Sequence, residues 1–185
     1  MLEGLGLTLV HYKRPKLFKD DGIAVAYRSS EVRLLDIDYV DLNDLCSMYN
    51  NRTFNRDNQA MFCLFEHLSS QRKVIAGNLH LHFNPKKDFI KFAQASYVLE
   101  RGAKFMKKHS MDESVPLPIF ICGDYNSTPV SSVMSLFHDE DIEGYSGTKQ
   151  PAAESSHWQI PSNDSQGTDQ SGVRRLYQIA NQMYF

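Results

Sequence analysis

The sequence predicts an α/β protein on three observations. Two apolar runs, residues 59–66 (QAMFCLFE) and 73–83 (KVIAGNLHLHF), have strand character, and the short turn His67–Arg72 between them predicts an antiparallel hairpin. A long segment from residue 88 carries apolar side chains at helical spacing. A third clear strand, 118–122 (PIFIC), follows that helix, after Pro116 and beginning at Pro118.

Taken in order, the elements are these. Residues 22–27 (GIAVAY) form a short apolar strand closed by Arg28-Ser29-Ser30, and 31–35 (EVRLL) read as a partner strand. The polar run from Asp36 to Asn58 reads as loop, with one helical turn at 41–48. In the second hairpin strand Leu79, Leu81 and Phe83 share one face, and His80 and His82 the other. Asn84-Pro85 breaks that strand, and Asp88 is placed to cap a helix. Phe89, Phe92, Ser96, Leu99, Ala103 and Met106 then form its apolar stripe. Gly102 weakens this helix by about 1 kcal/mol relative to Ala. The opposite face, Lys86, Lys87, Lys91, Arg101, Lys104, Lys107 and Lys108, reads as solvated, with Lys86 and Lys87 as phosphate candidates beside the strand end. The strand 118–122 stops at Gly123, and residues 131–137 read as a short helix. At about Gly144 the composition turns to Ser, Gln, Gly, Asp and Pro. This divides the chain into a domain at 1–143, a polar loop or disordered segment at 144–172, and a C-terminal tail at 173–185 that could form a short helix.

Composition narrows the function classes. The chain has 185 residues, with 20 Lys and Arg against 22 Asp and Glu, a net charge of −2. That balance argues against a strongly basic nucleic-acid wrapper, while local basic patches stay open. A hydrophobic content of 42% supports a packed core rather than disorder. No apolar run reaches the roughly 18 residues of a membrane helix, and the N-terminus does not read as a signal peptide. Cys46, Cys63 and Cys122 fit no zinc or disulfide framework, so the expected setting is reducing and intracellular, the cytoplasm or the nucleus.

Two segments carry chemistry. PIFICGDYNSTP, residues 118–129, runs an apolar strand into Gly123 and then presents Asp124 and Asn126, two residues apart. Alternate residues at a strand end point the same way, so the two can face one pocket. A carboxylate there can polarise water or hold Mg²⁺, and a carboxamide can donate to a phosphoryl oxygen. Taken alone, GD-x-N also describes an ordinary strand-to-turn junction. The second segment, GNLHLHFNP, residues 77–85, puts Asn78 and His80 on one strand face. A histidine at a strand end can contact phosphate or orient water; a lone one is as readily a half-buried surface residue.

Together and in order, these segments resemble the endonuclease/exonuclease/phosphatase superfamily. Within it, KRPKLFKDDGIAVAYRSSEVRLL, HFNPKKDFIKFAQ and ICGDYNSTP are similar to the deadenylase-like branch. That branch includes the carbon-catabolite-repression deadenylases, nocturnin, the 2′,5′-phosphodiesterase and the Angel proteins, with HFNPKKDFIKFAQ closest to the last. The resemblance covers roughly residues 5–140. It implies a two-sheet sandwich flanked by helices, present in part, and a Mg²⁺-dependent phosphodiesterase acting at RNA 3′ ends. It implies that Asp124 activates or orients the attacking water, that Asn126 holds the scissile phosphate, and that His80 contacts it. Asn78 would support that strand beside the substrate, and Pro85 would lie against the nucleobase. Asp21-Gly22 matches the family's DG before a core strand, a structural position.

The departures also shape the expectation. No strand-end Gln-Glu pair precedes Asp21, and the family's Asp-His pair within S-D-H-x-P is absent. His157, in ESSHWQIP, is the only late histidine, and its surroundings differ from that motif. No metal-ligating set is therefore assigned, and Asp124 alone would bind Mg²⁺ poorly. Three functions stay open: a deadenylase-like phosphodiesterase lacking part of its site, a catalytically inactive remnant that binds RNA or a protein, and phosphatase or lipid phosphodiesterase chemistry at the same superfamily site, over which the N-x-H-x-x-x-x-P spacing favours nucleotides.

Overall fold

In the computed structural model, the described residues are 3–14, 20–110 and 117–138. Strands β1 (Thr8–Lys13) and β2 (Gly22–Tyr27) pair as an antiparallel hairpin. Strands β3 (Val32–Asp41), β4 (Gln59–His67), β5 (Lys73–His80) and β6 (Ile119–Asp124) form a second sheet in that order. β3, β4 and β5 are antiparallel neighbours, while β5 and β6 run parallel. A parallel pair needs a crossover, and helix α2 (Asp88–His109) supplies it. Helices α1 (Asp44–Met48) and α3 (Ser132–His138) are short.

The residue alternation of β4 explains the layering. Ala60, Phe62 and Leu64 join Ile75 and Leu79 of β5 against Val98, Phe105 and Met106 of α2. Met61, Cys63 and Phe65 point the other way, against Val10 and Ile23 of the hairpin. β4 is thus covered on both faces, which is why its sequence is an unbroken apolar run rather than an alternating one. Burying each large side chain here contributes about 1.5–3 kcal/mol. The result is the expected mixed α/β architecture, two sheets face to face with a helix on the outer face. The hairpin stops short of β6, whose Phe120 and Cys122 stay exposed on that side.

Several boundaries differ from the sequence reading, each for a physical reason. β1 was not expected; only Val10 and Tyr12 turn inward from it, and Leu9 is exposed. β3 does not end at residue 35 but continues to Asp41 through a register shift between Leu34 and Asp36. Its acidic end reads as loop until its partners are seen: Lys108 on Asp36 at 2.7 Å and Arg101 on Asp38 at 2.6 Å. β5 ends at His80, not at residue 83. β6 runs through Gly123 to Asp124. Asp88 is the first residue of α2 rather than its cap; Lys87 holds the cap position without a side-chain hydrogen bond. α2 has the expected period in a different phase: Ile90, Gln94, Val98 and Gly102 face inward, and Phe89 is exposed. Lys91, assigned to the solvated face, is buried. Gly102 also gains a role, because a Cβ there would stand 3.0 Å from the Phe62 ring. The segments 144–172 and 173–185, and His157, lie outside the described residues.

Candidate active site at the ends of two parallel strands

His80 and Asp124 are register partners across the parallel β5–β6 pair. They therefore project from the same face, and His80 Nε2 lies 3.9 Å from Asp124 Oδ2. Their neighbours keep both strand ends fixed. Leu81 N donates to the Asp124 carbonyl at 2.9 Å, so the pairing continues one residue past β5. Gly123 has φ of +129° and no room for a side chain: a Cβ would fall 2.1 Å from the Leu79 carbonyl oxygen. Only glycine fits that turn of backbone.

Asn126 reaches the site differently from the expected strand alternation. It lies beyond β6 with φ of +49°, a left-handed conformation that asparagine tolerates. Its backbone N donates to Asp124 Oδ1 at 2.8 Å, and its Nδ2 to the Leu81 carbonyl at 2.9 Å. The carboxamide nitrogen has a second hydrogen for a ligand. Lys91 Nζ holds the same residue from α2, donating to the Asn126 carbonyl at 2.9 Å while pairing with Asp88 at 2.8 Å.

Asn78 is directed to the hairpin, its Nδ2 donating to the Ala24 carbonyl at 2.8 Å, which ties β5 to β2. Pro85 is exposed on the loop after β5, near the exposed Phe83 and Lys86. Asp21 and Gly22 keep the structural position read from the sequence. Asp21 pairs with Arg14 at 2.9 Å, and a Cβ on Gly22 would meet the Tyr12 carbonyl at 2.4 Å.

Sequence reasoning missed three supports. Arg14 Nη2 lies 3.4 Å from His80 Nδ1. Lys91 is the second. The third is a buried carboxamide chain behind the site. Asn58 Nδ2 donates to the His80 carbonyl at 2.9 Å, Gln94 Nε2 to Asn58 Oδ1 at 3.2 Å, and His82 N to Gln94 Oε1 at 2.9 Å. Gln94 reads as a polar helix residue and Asn58 as the end of a loop; only their partners reveal them as buried. His82, given no special role, is buried on this chain. Burial lowers its pKa from the ordinary value, and Arg56, Lys91 and Lys87 lower it further.

Asp124, 62% exposed at its side chain, is a carboxylate this corner offers a cation. Among the described residues, no group of three or more His, Cys, Asp or Glu gathers as a metal site. Nor is any helix among them long and apolar enough to cross a membrane.

No protein-family model matches the chain. Individual relatives do. The CCR4-Not complex 3′-5′-exoribonuclease subunit Ccr4 of Debaryomyces hansenii is 33% identical over 145 residues, covering 68% of this chain and 17% of that protein. Protein angel of Drosophila melanogaster is 34% identical over 133 residues, covering 70% of this chain and 34% of that protein. Among solved structures, ANGEL2, a 2′,3′-cyclic phosphatase in complex with adenosine-2′,3′-vanadate, superposes with a TM-score of 0.68 at 28% identity. That match covers 86% of this chain and 46% of ANGEL2. Fold and relatives agree: the chain belongs to the endonuclease/exonuclease/phosphatase superfamily, in its deadenylase-like branch. It spans less than half the length of each of these relatives.

Proposed function

We propose that residues 1–143 carry the phosphate-contacting part of a hydrolase that cleaves phosphodiester bonds at RNA 3′ ends. The observation that carries this reading is the His80–Asp124 pair, 3.9 Å apart on one face of two parallel strand ends. The relatives support the substrate class: one is a 3′-5′ exoribonuclease subunit, another a 2′,3′-cyclic phosphatase. In this reading a water attacks phosphorus, an O–P bond forms, and the P–O bond to the leaving sugar oxygen breaks. Asp124 orients that water and takes its proton, and solvent returns one to the leaving oxygen. His80 donates to a non-bridging phosphate oxygen, and Asn126 does so through its second Nδ2 hydrogen. Pro85 gives an apolar surface for the terminal base.

Magnesium belongs to the proposal as the ion this branch implies. Mg²⁺ commonly keeps several waters and binds substrate phosphate; with Oδ1 accepting from Asn126 N and Oδ2 serving the attacking water, Asp124 would hold it through one of those waters. When bound, it would polarise the phosphoryl oxygen as a Lewis acid.

The test uses the purified chain with two RNAs, an oligoadenylate and one ending in a 2′,3′-cyclic phosphate, with and without Mg²⁺. Nucleotide or phosphomonoester release that falls away in Asp124→Ala supports the reading. Equal rates in both proteins remove the active-site assignment. Salt-dependent RNA binding without turnover in either protein would leave a binding module instead.

A further inference from the structure

Arg14 stands directly after β1, where its backbone N continues the hairpin by donating to the Asp21 carbonyl at 3.0 Å. Its side chain is 12% exposed and is anchored by Asp21 Oδ2, 2.9 Å from Nη2. The same nitrogen lies 3.4 Å from His80 Nδ1. One Nη2 carries two hydrogens, enough for both contacts.

A guanidinium only donates and keeps its charge throughout the accessible pH range. A hydrogen bond from Arg14 therefore requires a lone pair on His80 Nδ1. A proton on that nitrogen would face another donor. The other ring nitrogen is compatible with this: Nε2 stands 3.9 Å from Asp124 Oδ2, beyond a direct hydrogen bond but with an acceptor beside it. The Arg14 contact is what places the proton on Nε2.

We infer that Arg14 is a positioning residue that sets His80 as the neutral Nε2–H tautomer and aims that hydrogen at the space beside Asp124. An oxygen atom placed there receives a donor without a change in the charge of the imidazole. Taking that oxygen to be a phosphoryl oxygen rests on the function proposed above; the tautomer does not. Asp21 has the supporting part of holding the guanidinium in place, which gives the Asp-Gly pair a role beyond the turn into β2.

The experiment records long-range ¹H–¹⁵N correlations of the His80 ring in the full, metal-free chain at about pH 8, above the ordinary histidine range. His80→Gln assigns the signals. In the wild type, Nε2 is expected at the shift of a protonated nitrogen and Nδ1 at that of a bare one. In Arg14→Met the Nδ1–H form becomes populated, and the two shifts move toward each other. Asp21→Asn, which keeps the guanidinium but cuts its anchor, moves them in the same direction by less. If Arg14→Met does not fold, Asp21→Asn decides. An Nδ1–H ring in the wild type, or shifts unmoved in the folded variants, overturns the inference. No hydrolysis enters this readout, so a chain inactive on RNA would refute the proposed function and leave this result standing.

Discussion

His80 and Asp124 are register partners on β5 and β6, and their side chains approach to 3.9 Å at the strand ends. Asp124 Oδ1 is occupied by the Asn126 N–H, which leaves Oδ2 facing the imidazole. Asp124→Asn keeps the side chain's size and its acceptor for Asn126 while removing the carboxylate proposed above as the base. With the wild-type side chain 62% exposed, fold stability should be nearly unchanged. RNA hydrolysis should fall by about 10²–10⁴-fold, the usual value of a positioned acid–base group. Product release and a thermal melt on the same preparation check both halves.

Gly123 is the point at which that geometry is most easily broken. Its φ of +129° disfavours any side chain, and the Leu79 carbonyl occupies the space a Cβ would need. Gly123→Ala should cost about 2–4 kcal/mol, from backbone strain and overpacking together. Urea unfolding monitored by circular dichroism measures it, and a change under about 0.5 kcal/mol, the range of a neutral surface substitution, would contradict the geometry.

Lys91 joins the loop after β6 to α2 and is only 4% exposed at its side chain. Lys91→Met retains the aliphatic stem and leaves no buried charge behind, since Asp88 is in solvent. The lost hydrogen bond from the ammonium to the Asn126 carbonyl should cost about 1.5–3 kcal/mol, the range for hydrogen bonds to charged groups. Amide exchange at residues 125–128 should accelerate in this variant while that of β4 stays slow. Uniform acceleration across both would show that Lys91 serves the whole core rather than this loop.

How much of this was legible in the sequence depends on whether the deciding partner is near in the chain. β4 was readable because Phe62 and Cys63 are both buried, giving an apolar run that needs no further context. The N-x-H and GD-x-N segments are legible as candidates because each lies within a few residues, and the parallel pairing of β5 and β6 brings His80 and Asp124 together. β1 was not, since it presents only Val10 and Tyr12 inward. The acidic end of β3 was not, because Asp36 and Asp38 find their cations on α2, more than 60 residues away. Arg14 and His80 are 66 residues apart, and no local pattern joins them. The phase of α2 failed for a related reason. Aromatic Phe89 looks more buried than Lys91 until the loop bearing Asn126 is in place.

His82 supplies a pH test of the same region. Burial, reinforced by Arg56, Lys91 and Lys87, holds its pKa below the ordinary 6.5. Between that lowered value and 6.5, the unfolded chain binds more protons than the folded one, so stability rises with pH across this window. Stability is therefore complete above about pH 6.5 and declines as pH falls through the folded-state pKa. His82→Phe keeps an aromatic ring beside Phe83 and removes the titrating group. The stability of the variant relative to wild type should rise as pH drops from 7 into this window, then level off. The ion pairs of Asp36 do not confuse the comparison. Lys108 holds that carboxyl below its usual 3.8, so its contribution is lost only at more acid pH, and equally in both proteins. Denaturant midpoints collected from pH 7 to 4.5 measure the difference, and parallel curves for the two proteins would show that His82 is not held neutral by the fold.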